Sequence, residues 1–172
     1  GSMLNCINGI YKPQIGSVIY KGQEVKKVTP NIMAQMGISR TFQNLALWPK
    51  MTVLENVLTG AHVKGKQNFF SSMLRIGLTK EEQELQERAY TILNNLELIQ
   101  FADQPCDGLP FGTMKRIELA RSLINEPKLL LLDEPATGLN HSEVNELSQL
   151  IKTIRDEYEL TILLVEHHMG MV

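Results

Sequence analysis

Long apolar runs are missing from this chain. No stretch among its 172 residues approaches the roughly 18 apolar residues that a membrane-spanning helix needs. No signal-peptide pattern is visible, so any work at a membrane is expected to proceed by docking on a partner. Cysteine is scarce: Cys6 and Cys106 lie 100 positions apart, with no C-x-x-C pair, and are expected to be reduced intracellular thiols. An excess of one charge is also missing. The 17 Lys and Arg against 19 Asp and Glu leave a net charge of −2, which argues against a dominant nucleic-acid or anionic-membrane footprint. There is no internal repeat and no low-complexity tract. What remains is ordinary globular material, 43% hydrophobic and 21% charged. It is long enough for one domain, or one domain with a smaller lobe, around a real core.

The most informative stretch is Leu129–Leu130–Leu131–Leu132–Asp133–Glu134–Pro135. Four consecutive leucines suit a strand buried on both faces of a parallel sheet. Two carboxylates follow where the strand should end, and Pro135 stops the ladder. In open α/β sheets chemistry collects beyond the carboxyl ends of the strands, so such a tip is suited to hold a metal ion and polarise a water. Alone, the same run is also a core strand followed by an acidic turn.

The rest of the pattern supplies a context. Residues 16–20 and 23–25 flank Lys21–Gly22 as a hairpin. Thr29–Pro30 opens a short helix that Gly37 ends. Ile38 to Phe42 reads as a strand with Gln43 at its exit. A largely helical lobe follows, with capping boxes at Thr52–Val53–Leu54–Glu55 and Thr79–Lys80–Glu81–Glu82. Its second helix carries the core stripe Leu85, Ala89, Ile92, Leu93 and Leu96, after a surface excursion over 64–78. An amphipathic stretch runs from Met114 to Asn125, with Lys115 and Arg116 expected on a solvated face. From Lys128 the order is strand, helix (about Ser142 to Glu157) and strand (Leu160 to Val165), a βαβ unit.

Five of these features, in this order, resemble the nucleotide-binding domain of ABC transporters. Gln43, after Arg40–Thr41–Phe42, looks like that family's Q-loop glutamine. Leu109–Pro110–Phe111–Gly112–Thr113 looks like the signature loop, and Leu129 to Glu134 like the Walker B strand. Ala136 to Asn140 looks like the D-loop, and His167 like the switch histidine. The runs Ser39 to Asn44 and Met51 to Asn56 are similar to ATPase subunits of bacterial branched-chain amino-acid importers. Urea-type importers share much of this pattern.

The resemblance implies an α/β, P-loop-NTPase-like ABC ATPase core with a helical subdomain, divided at 1–51, 52–108 and 109–172. It implies ATP and Mg²⁺ as cofactors. Asp133 would hold the metal, with Gln43 bridging metal, water and the helical lobe. Glu134 would orient the attacking water as general base, and neutral His167 would hydrogen-bond a phosphoryl oxygen. Leu109, Gly112 and Thr113 would contact the nucleotide of the opposite subunit through a helix N-terminus. Pro110 and Phe111 depart from the usual Leu-Ser-Gly-Gly-Gln and weaken that contact. Asn140 stands where many relatives have Asp, at a position that helps join two such domains. Trp48, in the apolar run Leu45 to Pro49, either anchors a membrane subunit or is buried in the helical lobe. The implied partners are a second ATPase subunit and membrane-spanning permease subunits, at the cytoplasmic face of the membrane, with no nucleic acid.

That family binds phosphates on a G-x-x-x-x-G-K-[ST] loop, and no such pattern occurs in these 172 residues. Gly1–Ser2 reads as an expression scar, and the chain is expected to be a fragment, or an unusual natural truncation, lacking the phosphate-loop strand. Such a fragment is expected to be inactive or very weak by itself, and to self-associate or be marginally stable. Two function classes follow: an ATP-hydrolysing motor subunit, or a non-catalytic docking and assembly module. A chromosome-maintenance ATPase would need a long coiled coil, for which the 66 positions from Gln43 to Leu109 leave no room.

Overall fold

The computed structural model describes residues 18–20, 23–25, 38–41, 47–61 and 79–165, with the backbone alone for the first three segments, Asp133 and Val165. The expected helix after Thr29 and the excursion at 64–78 lie outside the described residues. In chain order the described elements are β1 (Val18–Tyr20), β2 (Gln23–Val25), β3 (Ile38–Thr41), α1 (Val53–Leu58), α2 (Lys80–Asn95), a 3₁₀ turn (Ile99–Phe101), α3 (Phe111–Leu123), β4 (Leu129–Asp133), α4 (His141–Glu157) and β5 (Thr161–Val165). They group into two compact units. One comprises Gly1–Leu45 with Glu126–Val172, and the other Ala46–Asn125.

The first unit is organised by β4. It lies between β3 and β5 and is parallel to both, with Ile38 opposite Leu129, Thr41 opposite Leu132 and Asp133 opposite Val165. A central strand has no free edge, and Leu129 to Leu132 are all buried. This explains a continuous leucine run where a half-exposed strand would alternate. β1 and β2 pair separately as the expected antiparallel hairpin, Val18 opposite Val25. Parallel neighbours need a crossover, and α4 supplies it between β4 and β5. Its buried Val144, Leu147, Leu150, Ile151 and Ile154 recur at helical spacing. The helix closes in a left-handed turn, with Glu159 at φ 51° and the Leu160 N–H donating to Arg155 O at 2.9 Å.

The second unit is helical. Both expected capping boxes form: Thr52 Oγ1 accepts from the Glu55 N–H, and Thr79 Oγ1 from the Glu82 N–H. The α2 stripe Leu85, Ala89, Ile92 and Leu93 is buried as expected, and Leu96 beyond it is fully buried. Each leucine or isoleucine so buried stabilises by about 1.5–3 kcal/mol. The unit is wider than the 52–108 lobe expected from sequence, because α3 groups with it. Ile117, Ala120 and Leu123 of α3 are buried, and α3 packs on α1 and α2. Arg88 Nη1 donates to Ile124 O (3.0 Å), and Asn125 Nδ2 to Gly60 O (2.6 Å). α1 and α3 meet closely at Gly60, where a Cβ would sit 2.5 Å from Arg121 O.

Candidate functional site

The three parallel strands finish at the same, carboxyl end of their sheet. Thr41 ends β3 beside Leu132, and Val165 ends β5 beside Asp133. With strands spaced about 4.8 Å apart, the three exits span about 10 Å, the scale of a nucleotide's phosphates. Gln43 and His167 each follow their strand's last residue by two positions. Both lie outside the described residues, as does the Asp133 side chain.

Beyond Asp133 the backbone turns at once. Glu134 is half-buried and left-handed, at φ 46°, a conformation that costs a non-glycine residue about 1–2 kcal/mol. The Thr137 N–H donates to Glu134 O (3.2 Å), and the Leu139 N–H to Ala136 O (3.1 Å). These linked turns deliver the chain to Asn140, the N-cap of α4. Asn140 Oδ1 accepts from the Glu143 N–H at 2.8 Å, and the Asn140 N–H donates to Glu143 Oε1 at 3.3 Å. This capping box was legible as Asn-x-x-Glu, and reading Asn140 only as an interface residue missed it.

Within the helical unit, Leu109 and Pro110 lead into α3, and Phe111 to Thr113 form its first turn. The Leu109 N–H donates to Cys106 O (3.2 Å). Pro110 is the N-cap, and no side chain caps the helix there. Gly112 is half-buried and Thr113 buried, so Thr113 offers no exposed hydroxyl. The backbone amides of the first turn are the donors suited to an anion.

Phe111 is exposed, and Lys115 lies over its ring, 5.3 Å from the centroid and 3.8 Å from Glu118. The Lys115 side chain is only 10% exposed, and Arg116 reaches Leu96 O at 3.4 Å and Glu97 at 3.9 Å. The expected solvated face is therefore a packed one, because the ring, a carboxylate and a helix C-terminus engage both cations. Burial pushes the Glu118 carboxyl above its ordinary range, opposed by Lys115 and Arg121. Burial likewise raises the Cys106 thiol, opposed by Arg121.

A cavity of about 280 Å³ opens beside α3, lined in part by Leu47, Pro49, Cys106, Phe111 and Met114. Trp48 stands next to it in sequence and is 58% exposed, so it is not buried in the helical lobe. Asn56, which the sequence reading passed over, is fully buried beneath the Trp48 loop. Its Oδ1 accepts the Trp48 N–H at 2.7 Å, and its Nδ2 donates to Trp48 O at 3.0 Å.

Residues 1–137 match the family model described as ABC transporter. The chain belongs to the ABC transporter family. It is 37% identical over 172 residues to the high-affinity branched-chain amino acid transport ATP-binding protein LivG of Escherichia coli K12, covering 99% of this chain and 68% of that protein. It is 36% identical, with the same coverage, to BraF of Pseudomonas aeruginosa, which carries the same description. Among solved structures it is similar to the ADP conformation of an ATP-binding cassette of an ABC transporter, at 30% identity and TM-score 0.71, covering 98% of this chain and 66% of that one. The chain thus spans about two thirds of the length of these relatives. The fold is the α/β core of an ABC ATPase with its helical subdomain.

Proposed function

We propose that this ABC domain belongs to a subunit that binds and hydrolyses ATP to energise an importer, with branched-chain amino acids as cargo. The observation that carries the reading is the parallel register of β3, β4 and β5, which gathers three strand exits about 10 Å across. The cargo rests on the likeness to LivG and BraF.

Asp133 and Gln43 hold Mg²⁺ in this reading. Mg²⁺ needs only one or two protein ligands beside phosphate and water. A carboxylate residue at the end of a strand suits it. The ion would neutralise phosphate charge. Glu134 orients the attacking water and takes its proton. His167 accepts or donates a hydrogen bond at the phosphoryl group according to its tautomer. Gly112 and Thr113 present first-turn amides of α3 to the nucleotide of a second ATPase subunit, Leu109 leads into that turn with its own N–H held by Cys106 O, and Asn140 lies at that interface. Trp48 docks the domain on the permease subunits at the cytoplasmic face of the membrane.

The test is the Glu134→Gln variant of the complete transporter. ATP hydrolysis is expected to fall about 10²–10⁴-fold with ATP binding retained, and undiminished turnover would overturn the assignment. The sequence contains no G-x-x-x-x-G-K-[ST] loop, which favours the docking-module reading for these 172 residues taken alone. An ATP titration separates the two: micromolar affinity for this chain favours the catalytic reading, and no binding at millimolar ATP favours the docking module.

A further inference from the structure

Asn56 is 0% exposed, yet much of its hydrogen bonding leaves its own helix. Its carboxamide pairs with both backbone groups of Trp48, as a neighbouring peptide would. The same Nδ2 lies 3.2 Å from Met51 O, 2.9 Å from Thr52 O and 3.1 Å from Cys106 Sγ. It thereby touches two segments, since Cys106 lies 50 positions further along the chain.

Those two segments are also laddered together by their backbones. The Cys106 N–H donates to Met51 O (3.1 Å), the Asp107 N–H to Pro49 O (3.0 Å) and the Val53 N–H to Gln104 O (2.9 Å). Thr52 and Pro105 form an antiparallel bridge. The second segment continues directly into Leu109, whose N–H bonds back to Cys106 O. The exposed Trp48 indole and the start of α3 are therefore two ends of one hydrogen-bonded piece, with Asn56 at its centre.

We propose that Asn56 is a positioning residue that makes the Trp48 loop and the start of α3 move as a single body, so that displacing Trp48 displaces Leu109 to Gly112. Few side chains can fill this place. It demands an acceptor and two donors on one short planar group. Aspartate keeps the acceptor, loses the donors and buries a charge; leucine orphans both Trp48 groups. The clamp stands on geometry alone. Its consequence, that a docked partner acts on nucleotide contact, rests on the function proposed above.

Trp48 is the chain's one tryptophan, so its fluorescence reports the loop directly. In this chain, Asn56→Ala is expected to at least double the fast amplitude of Trp48 anisotropy decay. It should also speed amide exchange at Trp48, Cys106 and Asp107 together by tenfold or more, with Leu93 and Ile117 still protected. Leu85→Ala, which weakens the same unit elsewhere, should leave Trp48 anisotropy unchanged. Should Asn56→Ala fail to fold, Asn56→Asp carries the same measurement.

The clamp is overturned by unchanged anisotropy, by faster exchange at Trp48 without Cys106 and Asp107, or by the same response to Leu85→Ala. In the complete transporter, Asn56→Ala and Trp48→Ala should each lower partner-stimulated hydrolysis, and the double variant should be no worse than the worse single. Additive losses overturn the linkage. An unstimulated wild type would instead defeat the proposed function and leave the fluorescence result standing.

Discussion

The sheet unit and the helical unit hold their candidate residues by different means. In the sheet unit, backbone register does it: three parallel strands finish at the same end of the sheet, Asp133 closing the middle one and Glu134 following in the turn. In the helical unit a short backbone ladder joins the Trp48 loop to the segment leading into α3, and one buried amide, Asn56, adds a side-chain clamp across it. Register tolerates side-chain change at the site, because the positioning is done by main-chain bonds. A side-chain clamp adds a link that a single substitution removes.

Glu134→Gln probes the sheet unit and has the largest expected effect, about 3–5 kcal/mol on the hydrolysis barrier. It should leave the thermal midpoint of this chain unchanged, since register and not the carboxylate shapes the turn. A large fall in midpoint would erase the contrast drawn between the units.

Gly60→Ala probes packing in the helical unit. A Cβ there would meet Arg121 O at 2.5 Å and Arg121 Cγ at 2.7 Å, and the backbone atom cannot rotate away. Denaturant titration should show a loss of about 1–3 kcal/mol. No loss would mean that α1 and α3 yield easily, and the helical unit would then be less fixed than described.

Glu159→Gly probes the closing turn of α4 and should stabilise the protein by about 0.5–1 kcal/mol, because glycine accepts the left-handed backbone. Glu97, at φ 59° after α2, also meets Arg116, so Glu97→Gly should stabilise less. Equal gains at both sites would show that the Arg116 contact contributes nothing.

The smallest effect is one of pH. Burial raises the Glu118 carboxyl, and its side chain is 17% exposed. As pH rises from the ordinary carboxylate range to the raised value, the unfolded chain releases this proton first. Stability from this group therefore falls over that interval and returns on acidification. Glu118→Gln should remove the downward slope, measured as unfolding free energy against pH. An unchanged slope would place its origin elsewhere.

What the sequence made legible was mostly local. The capping boxes at Thr52 and Thr79, the α2 stripe and the leucine strand each declare themselves within a few residues, and each is present. α3 begins at Phe111, one position from the helix start expected near Gly112 and three before the amphipathic periodicity at Met114, because an exposed aromatic at a helix start carries no periodic signal. The left-handed glutamates were illegible, since glycine or asparagine is the usual mark of that conformation. Asn56 was illegible for a different reason: its defining partner, Cys106, is remote in the chain. The packing of Lys115 depends likewise on Phe111 lying over α3 rather than away from it. In the site, strand order fixed where Asp133 and Glu134 would fall, while the capping role of Asn140 was present in the residues and overlooked.

The most direct test of the strand-exit site is a structure of the complete protein, with Glu134→Gln, bound to ATP and Mg²⁺. The account predicts the γ-phosphate beyond the exits of β3, β4 and β5, within hydrogen-bond reach of Gln43 and His167, about 3 Å, and with a water held at position 134. A nucleotide bound elsewhere, or Gln43 and His167 on opposite sides of the molecule, would contradict it.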